Sequence, residues 1–492
     1  MPEFIRSDKP NVLLICTDHW SGLLTGDAGH PVVSTPTIDH LARCGVSYTN
    51  AYSACPSCIP ARRSLFTGMS PKANGMRSFV DGVDFPEVPT LAQCFRDAGY
   101  QAYAVGKLHV YPQRHRIGFD DVLVEEQGRH VHHDIPDGMA DDYELFLAEQ
   151  GYGGQEYASG MTQNDYIARA WHLPEYCHPI NWAAREMCKT IRRRDPRKPG
   201  FWYLSFSAPH PPNTPLQTYM ELYRDAPLDE PAEGNWSADF DDLPYHIKTL
   251  SNPDSLAMAR AKGYEWEFAR RAYYATLTHI DHQIRTVIGY LRECGLLDNT
   301  IVVFTSDHGH MVGEHGLWCM TPFYEMSARI PLVVMPVKGD ERLPAGTRDD
   351  RLAEFADIMP TLLDLTGVPI PDQVDRLSLV GDRRRDELYG EHGEGSAAMR
   401  MVHDGRFKLI YYPVGNQAQL FDVDNDPRET RDLAGDSGYA DTLNRLKNRL
   451  VEHLYGEDLN WLKNGELVGL PARQYVPSAN RAMRGQRGLR FM

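Results

Sequence analysis

Short runs of apolar and β-branched residues, each ending in a polar side chain, constrain the fold of this chain most strongly. The four clearest runs cover residues 11–18, 101–107, 201–210 and 300–307. Helical patterns lie between them, at residues 37–44, 90–98 and 264–294. Apolar runs of this length indicate strands that are buried on both faces. Their alternation with helices predicts an α/β fold, with a doubly wound, mostly parallel sheet flanked by helices.

A second region begins near residue 383, where residues 399–413 and 419–429 have the pattern of short antiparallel strands with turns. A helical pattern at residues 439–454 follows. With 492 residues, the chain is long enough for two domains. We predict a large α/β domain over residues 1–380, a small antiparallel sheet-plus-helix domain over 381–466, and a basic tail over 467–492. The tail has five arginines and no acid, and we expect it to pack against its own or a neighbouring chain, with a disordered end as the alternative.

Composition excludes some classes of partner. The 51 Lys and Arg against 67 Asp and Glu give a net charge of −16, which argues against nucleic acid and anionic membranes as partners. The sequence has no recognisable leader and no apolar run near the ~20 residues of a membrane span, so we expect a cytoplasmic protein. The nine cysteines are scattered, and we expect most to be buried, reduced thiols. Homo-oligomer formation is left open.

Reactive side chains stand where the predicted strands end. Asp18, Lys107, His210 and Asp307 each close one of the four runs. In doubly wound sheets, ligands bind in the crevice beyond the carboxyl ends of the strands. The pattern therefore predicts that these four side chains meet in one crevice.

Cys55 and Cys58 form a CxxC pair, which by itself indicates a redox dithiol or half of a zinc site. No second CxxC or CxxH lies in range to complete four zinc ligands. From its second cysteine, however, the segment Cys58-Ile-Pro-Ala-Arg62 resembles the CxPxR element of type I sulfatases, in the alkaline phosphatase superfamily. The flanking segments at residues 50–52 and 65–68 are similar to that family as well.

The resemblance implies that a maturation enzyme oxidises Cys58 to formylglycine. One hydroxyl of the aldehyde hydrate attacks sulfur and displaces the alcohol, which gives a covalent sulfated intermediate. The second hydroxyl then loses its proton and expels sulfate by carbon–oxygen cleavage, which restores the aldehyde. It also implies that the substrate is a sulfate monoester, carried by a saccharide or another small molecule. Helix formation from Cys58 onward would place a helix N-terminus beside the anionic group.

A metal site follows from the same resemblance. Residues 305–309, Thr-Ser-Asp-His-Gly, resemble the metal-binding stretch of the family. Together with the first strand end they give Asp18, Cys58, Asp307 and His308 as ligands of one divalent ion. Calcium fits the family, and manganese is the alternative, because the first strand ends in Asp18-His19 where relatives have two aspartates. His19 is either a further ligand or a capping residue.

The remaining catalytic residues are Arg62, Lys107, His109 and His210. Residues 98–109 resemble the family segment that supplies Lys107, to neutralise sulfate oxygens, and His109, to accept the proton of the hydrate. The segment 205–211 supplies His210 as the general acid beside the ester oxygen. Arg62 would hold the formylglycine and the metal carboxylates.

One departure from the family pattern concerns Met320, which stands where relatives have a lysine that contacts the sulfate. His315, an arginine of the tail or a cationic substrate group would have to replace that charge. The departure keeps two alternatives open. One is a formylglycine-dependent phosphonate monoester or phosphodiester hydrolase, and the other is a silent binding homologue in which Cys58 stays a thiol. Two-metal phosphatases need ligands and a Ser or Thr nucleophile that we cannot place.

Other histidines have weaker patterns. The cluster of His130, His132 and His133 is predicted to lie on the surface. His279 and Asp281, at neighbouring positions on the long helix, indicate a packing or surface role rather than a catalytic one. His392, near the domain junction, is left open as a residue of the pocket mouth.

Overall fold

The computed structural model describes residues 9–127, 141–161, 168–250 and 264–476. Within these ranges the chain forms an eight-stranded mixed sheet, a four-stranded antiparallel sheet and a two-stranded ribbon. No helix in the described ranges has the length and apolar character needed to cross a bilayer. The predicted α/β class, with a second and smaller sheet, is confirmed.

The large sheet has the strand order β4-β3-β5-β1-β6-β7-β2-β8. All its neighbouring strands are parallel except β7, which runs antiparallel to both β6 and β2. The strands are β1 Asn11–Thr17, β2 Val46–Tyr52, β3 Gln101–Gly106, β4 Asp121–Val124, β5 Gly200–Ser205, β6 Thr300–Ser306, β7 Leu332–Met335 and β8 Thr347–Glu354.

The central strands are apolar throughout because both faces of the sheet are covered. In β1, Leu13 and Ile15 pack into one core, while Val12 and Leu14 pack into a second core on the opposite face. All four side chains are fully buried. Period-two alternation thus delivers apolar residues to two cores, which is why the sequence has a continuous apolar run.

Helices cover both faces of the large sheet, and the last helix packs on the small sheet. They are α1 Pro36–Cys44, α2 Cys58–Thr67, α3 Pro71–Asn74, α4 Leu91–Asp97, α5 Asp142–Glu149, α6 Pro179–Arg192, α7 Gln217–Leu222, α8 Tyr245–Leu250, α9 Tyr264–Glu293, α10 Glu325–Ala328, α11 Ile358–Thr366 and α12 Ala440–His453. On the long helix α9, Asp281 accepts hydrogen bonds from the backbone N–H groups of Thr37 and Ile38, so it caps α1. His279 lies 2.5 Å from the amide oxygen of Asn181. Both residues serve packing between helices.

The small sheet has the order β12-β11-β10-β9 and is antiparallel. Its strands are β9 Leu388–His392, β10 Met399–His403, β11 Phe407–Tyr412 and β12 Gln417–Asp422, and the ribbon is β13 Leu462–Lys463 with β14 Glu466–Leu467. One face, including Met401 and Ile410, joins the core of the large sheet. The other face, including Leu409, packs on Leu446 and Leu450 of α12. The small sheet is therefore a layer between α12 and the large unit.

Some boundaries differ from the sequence-based expectations. Strand β5 ends at Ser205 and does not reach His210, because the proline-rich segment after it leaves the sheet. The domain limits at residues 380 and 466 stay a prediction. The predictions for the histidines at 130, 132 and 133, and for the tail beyond residue 476, lie outside the described residues.

Candidate active site

Four adjacent strands of the large sheet deliver the predicted residues to one edge. Strands β3, β5, β1 and β6 are neighbours and parallel, so their carboxyl ends share that edge. Asp18 follows β1, Lys107 follows β3, and Asp307 follows β6 directly. His210 comes five residues after Ser205, on the loop that leaves β5. The strand-end pattern thus predicted which part of the fold holds the site.

Two glycines allow the backbone to approach closely here. Gly106, the last residue of β3, has φ +101°, and a Cβ atom would lie 1.7 Å from the carbonyl oxygen of Ser205. Gly309 is the last residue of the stretch 305–309, and a Cβ atom there would lie 2.1 Å from the carbonyl oxygen of Met326. Any side chain at either position would push apart the segments that carry the site.

Cys58 is the first residue of α2 and is 1% exposed. Its Sγ atom lies 3.4 Å from Oδ1 of Asp18 and 3.3 Å from Nε2 of His308. Burial, followed by the charge of Asp18, raises the pKa of the Cys58 thiol well above its usual value. The thiol therefore stands between a carboxylate and an imidazole, at the positive end of a helix dipole.

Arg62, one turn along α2, is fully buried and ties three strand ends together. Its Nε donates to Oδ2 of Asp307 at 2.8 Å, and its Nη1 donates to the carbonyl oxygen of Lys107 at 2.8 Å and to Oγ of Ser205 at 2.8 Å. Its Nη2 is buried and has no hydrogen-bond partner in the part of the chain that the structure describes. The guanidinium therefore holds the strand ends together, and its Nη2 group is available to donate a hydrogen bond to a bound group.

Lys107 forms an ion pair with Asp18, and both side chains are buried. Burial raises the pKa of the Asp18 carboxyl, but Lys107 and the nearby histidines outweigh burial and hold that pKa well below its usual range. Burial lowers the pKa of Lys107, but the charge of Asp18 outweighs this and raises it. The pair is therefore charged, and the site combines positive and negative groups in a dry environment.

The four predicted metal ligands come together. One ligand atom from each of Asp18, Cys58, Asp307 and His308 lies within 4.8 Å of all the others. The Nδ1 atom of His308 lies 2.9 Å from the carbonyl oxygen of Gly309, which can only accept a hydrogen bond. The proton therefore sits on Nδ1, and the lone pair of Nε2 faces the cluster, as in most metal-binding histidines. Two carboxylates and one oriented imidazole fit a divalent ion.

The two histidines that the sequence predicts to be catalytic have different surroundings. The Nδ1 atom of His210 donates to the carbonyl oxygen of Pro211 at 2.6 Å, which orients its ring. That ring is 4.3 Å from the ring of His19, centroid to centroid. His109 is 5% exposed, with its ring edge-on to Phe79 at 5.7 Å. The structure thus places His210 beside the metal-type cluster and His109 on the side of Phe79.

Two acids that the sequence motifs missed support the site from β4. The carboxylate of Glu126 accepts hydrogen bonds from the backbone N–H groups of Leu108 and His109, at 3.0 and 2.7 Å. Glu125 lines a small cavity with His210, and burial raises its pKa to about 7. The signal was present, because β4 is also an apolar run that ends in polar residues.

His315 was one candidate to supply the positive charge of the lysine expected at position 320. His315 is buried, with its ring 4.6 Å from that of Trp236, and burial lowers its pKa to about 4. It is therefore a neutral packing residue and not a substitute cation. Met320 is half-buried. His392 is 7% exposed, and neither ring nitrogen has a hydrogen-bond partner among the described residues.

Comparison with known families identifies the chain. The family model Sulfatase matches residues 10–368, and the model N-sulphoglucosamine sulphohydrolase, C-terminal, matches residues 313–455. An arylsulfatase of Clostridium perfringens is 34% identical over 479 residues, covering 94% of this chain and 97% of the relative. A choline-sulfatase of Rhizobium meliloti is 27% identical over 446 residues, covering 87% of this chain and 83% of the relative.

Solved structures share the fold. The phosphonate monoester hydrolase of Agrobacterium radiobacter has a TM-score of 0.73 at 23% identity, covering 94% of this chain and all of the other. A protein in complex with its substrate D-glucosamine-2-N,6-O-disulfate has a TM-score of 0.71 at 21% identity, covering 90% of this chain and 97% of the other. These likenesses establish the architecture only. With the family models and the arylsulfatase relative, they lead to one conclusion: the chain belongs to the formylglycine-type sulfatases of the alkaline phosphatase superfamily and is a sulfuric ester hydrolase.

Proposed function

We propose that this enzyme hydrolyses a sulfate monoester of a saccharide or another small molecule, using a formylglycine made from Cys58 beside one divalent ion. The observation that carries the proposal is the position of Cys58. Its Sγ atom lies within 3.4 Å of both Asp18 Oδ1 and His308 Nε2. The only cysteine of the chain followed by proline and arginine at CxPxR spacing is thus the one beside the metal-type ligands.

Formylglycine would supply, as its hydrate, a hydroxyl nucleophile that a thiol cannot replace in turnover. A divalent ion held by Asp18, Asp307 and His308 would supply a Lewis acid for negative charge at the sulfate. Calcium is the ion that the family resemblance implies, with manganese as the alternative. An enzyme that generates formylglycine is then a required partner.

The side chains around Cys58 would bind the sulfate and transfer the protons. Lys107 is buried and charged beside Asp18, so it neutralises sulfate oxygens at close range. Arg62 keeps a buried Nη2 donor for an oxygen acceptor at residue 58 or on the substrate. His210, whose ring is oriented through its Nδ1 atom, is the proposed acid that protonates the departing alcohol. His109 is the base for the proton of the hydrate.

A phosphonate monoester or phosphodiester is the second candidate substrate class. The specific observation in its favour is Met320, which leaves the site without the lysine that sulfatase relatives have. Neutral His315 does not restore that charge. The same nucleophile and the same positive groups could act on a phosphorus centre.

Peptide mass spectrometry of protein made together with a maturation enzyme tests the proposal. We expect the aldehyde at Cys58, with Cys55 unmodified, and loss of sulfate ester hydrolysis in Cys58→Ala. Cys55→Ala is the matched control, because Cys55 is as deeply buried and lies in the same segment. Fully active protein with an unmodified Cys58 would contradict the proposal, and hydrolysis of phosphonate esters alone would favour the second candidate.

A further inference from the structure

His19 is a buried histidine of the site to which the mechanism gives no role. Its side chain is 1% exposed, and neither ring nitrogen has a hydrogen-bond partner in the described ranges of the chain. An imidazole buried without partners costs free energy, since its polar atoms have lost their water. Among the described residues the His19 ring nitrogens find no such partner, so the ring is available to bind a group from outside the protein.

The backbone of His19 is also held in an uncommon conformation. Its φ is +69°, in the left-handed region. Its N–H group donates to Oδ1 of Asp307 at 3.4 Å, and its carbonyl oxygen accepts a hydrogen bond from the hydroxyl of Tyr273. Non-glycine residues in this region persist only where their surroundings enforce it, commonly at functional sites. The site thus fixes the direction of the His19 side chain.

The side chain of His19 lies beside the predicted metal ligands. The Nε2 atom of His19 lies 3.6 Å from Oδ1 of Asp18. Its ring centroid is 4.3 Å from that of His210 and 4.6 Å from that of His308. Asp18, His19, Cys58 and His210 form a group whose ligand atoms lie within 4.8 Å of one another. This group shares Asp18 and Cys58 with the predicted metal ligands.

The chemistry of these donors does not suit calcium. Calcium takes six to eight oxygen ligands, whereas imidazole nitrogen prefers ions such as zinc, iron, nickel or copper. The two overlapping ligand groups together offer two carboxylates, of Asp18 and Asp307, and three imidazoles, of His19, His210 and His308. We propose that His19 is a ligand of the divalent ion and makes the site select a nitrogen-preferring transition-metal ion over calcium. This inference rests on the proposed one-metal function and deepens it.

Competitive metal binding tests the inference without reference to activity. The full-length protein is used as the Cys58→Ser variant, so that the sulfur of Cys58 cannot act as a metal ligand. This variant is dialysed against Zn²⁺ and Ca²⁺ at equal concentrations, and the bound metal is measured by elemental analysis. Absorption of the Co²⁺-loaded protein in the visible region reports nitrogen ligation independently. We expect zinc to be retained, and His19→Asp to shift the preference toward calcium by at least about tenfold, the scale of changes around metal ligands.

His19→Asn and His310→Gln are the controls. Asn tolerates the left-handed backbone as Asp does, so His19→Asn shows whether losing the imidazole alone lowers zinc affinity, as we expect. His310 is equally buried and stacks on His19 but belongs to neither ligand group, so His310→Gln should leave the preference unchanged. Calcium preferred with His19 present, or an equal shift in His310→Gln, would overturn the inference and leave the proposed function standing. Binding of neither ion would overturn both the inference and the one-metal site.

Discussion

Glu126 holds the loop that carries Lys107 and His109, the two residues predicted to be catalytic there, and its removal should impair the chemical step more than substrate binding. Its Oε1 atom accepts hydrogen bonds from the N–H groups of Leu108 and His109, at 3.0 and 2.7 Å. His109 has φ +58°, so the loop adopts a backbone conformation that is unfavourable for a side-chain-bearing residue. Glu126 is 1% exposed, and its own N–H group donates to Asp141.

The expected size of the effect follows from these contacts. A hydrogen bond to a charged group contributes about 1.5 to 3 kcal/mol, so the two bonds stabilise the loop by roughly 3 to 6 kcal/mol. Glu126→Ala removes both bonds and lets His109 relax toward an ordinary conformation. Because a misplacement of ~1 Å costs roughly a hundredfold, we expect kcat to fall on the order of a hundredfold while KM changes little. Glu126→Gln keeps an oxygen acceptor, so it should restore most of the rate.

Steady-state kinetics with one sulfate ester measures this effect, and thermal unfolding shows whether each variant folds. Asp142→Asn is the matched control, because Asp142 accepts hydrogen bonds from the N–H group of Val124 in β4 and from Arg114, but none from the N–H groups of Leu108 and His109. It should lower stability and leave kcat unchanged. Folded Glu126→Ala with an unchanged kcat, or an equal loss in Asp142→Asn, would refute the positioning role.

Three further changes probe other parts of the structure. Asp307→Ala should remove both the bound metal, measured by elemental analysis, and the activity, because it deletes a carboxylate ligand and the partner of Arg62; retained metal would contradict this. Met320→Lys should alter the dependence of the rate on the leaving group, and an unchanged dependence would place residue 320 outside the sulfate pocket. The pKa of Glu125 is raised to about 7 from 4.5, so the native state holds this proton more tightly than the unfolded state does. Its contribution to stability is present below pH 4.5 and is lost as the pH rises from 4.5 through 7, by about 3 kcal/mol; Glu125→Gln should flatten the fall in the urea midpoint between pH 4.5 and 7, and a persistent fall would contradict this.

The fold was predictable where the sequence pattern follows from burial. Strands β1, β3 and β6 are covered on both faces, so their apolar runs stand out and the residues after them mark the site. Strand β8, Thr347–Glu354, was missed because it forms the edge of the sheet and its first half is largely exposed and charged. The end of β5 was placed too late for a different reason, since the apolar pattern continues past Ser205 while the chain turns away.

Residues of the site could be predicted from the sequence only where they lie in recognisable motifs. Cys58 and Asp307 lie in segments whose residue order reflects the chemistry, and the structure places both in the cluster. Glu126 acts through backbone N–H groups, so its partners leave no trace in side-chain patterns. The surroundings of His19 could not be derived either, because its partners come from three distant segments.

Relative kcat/KM values for three esters with one leaving group test the central claim most directly. The matured enzyme is assayed with an aryl sulfate, an aryl phosphonate monoester and an aryl phosphodiester, each beside Cys58→Ala. The account predicts the highest kcat/KM for the sulfate, falling to background in Cys58→Ala. A higher value for either phosphorus ester, or sulfate hydrolysis that survives in Cys58→Ala, would contradict it.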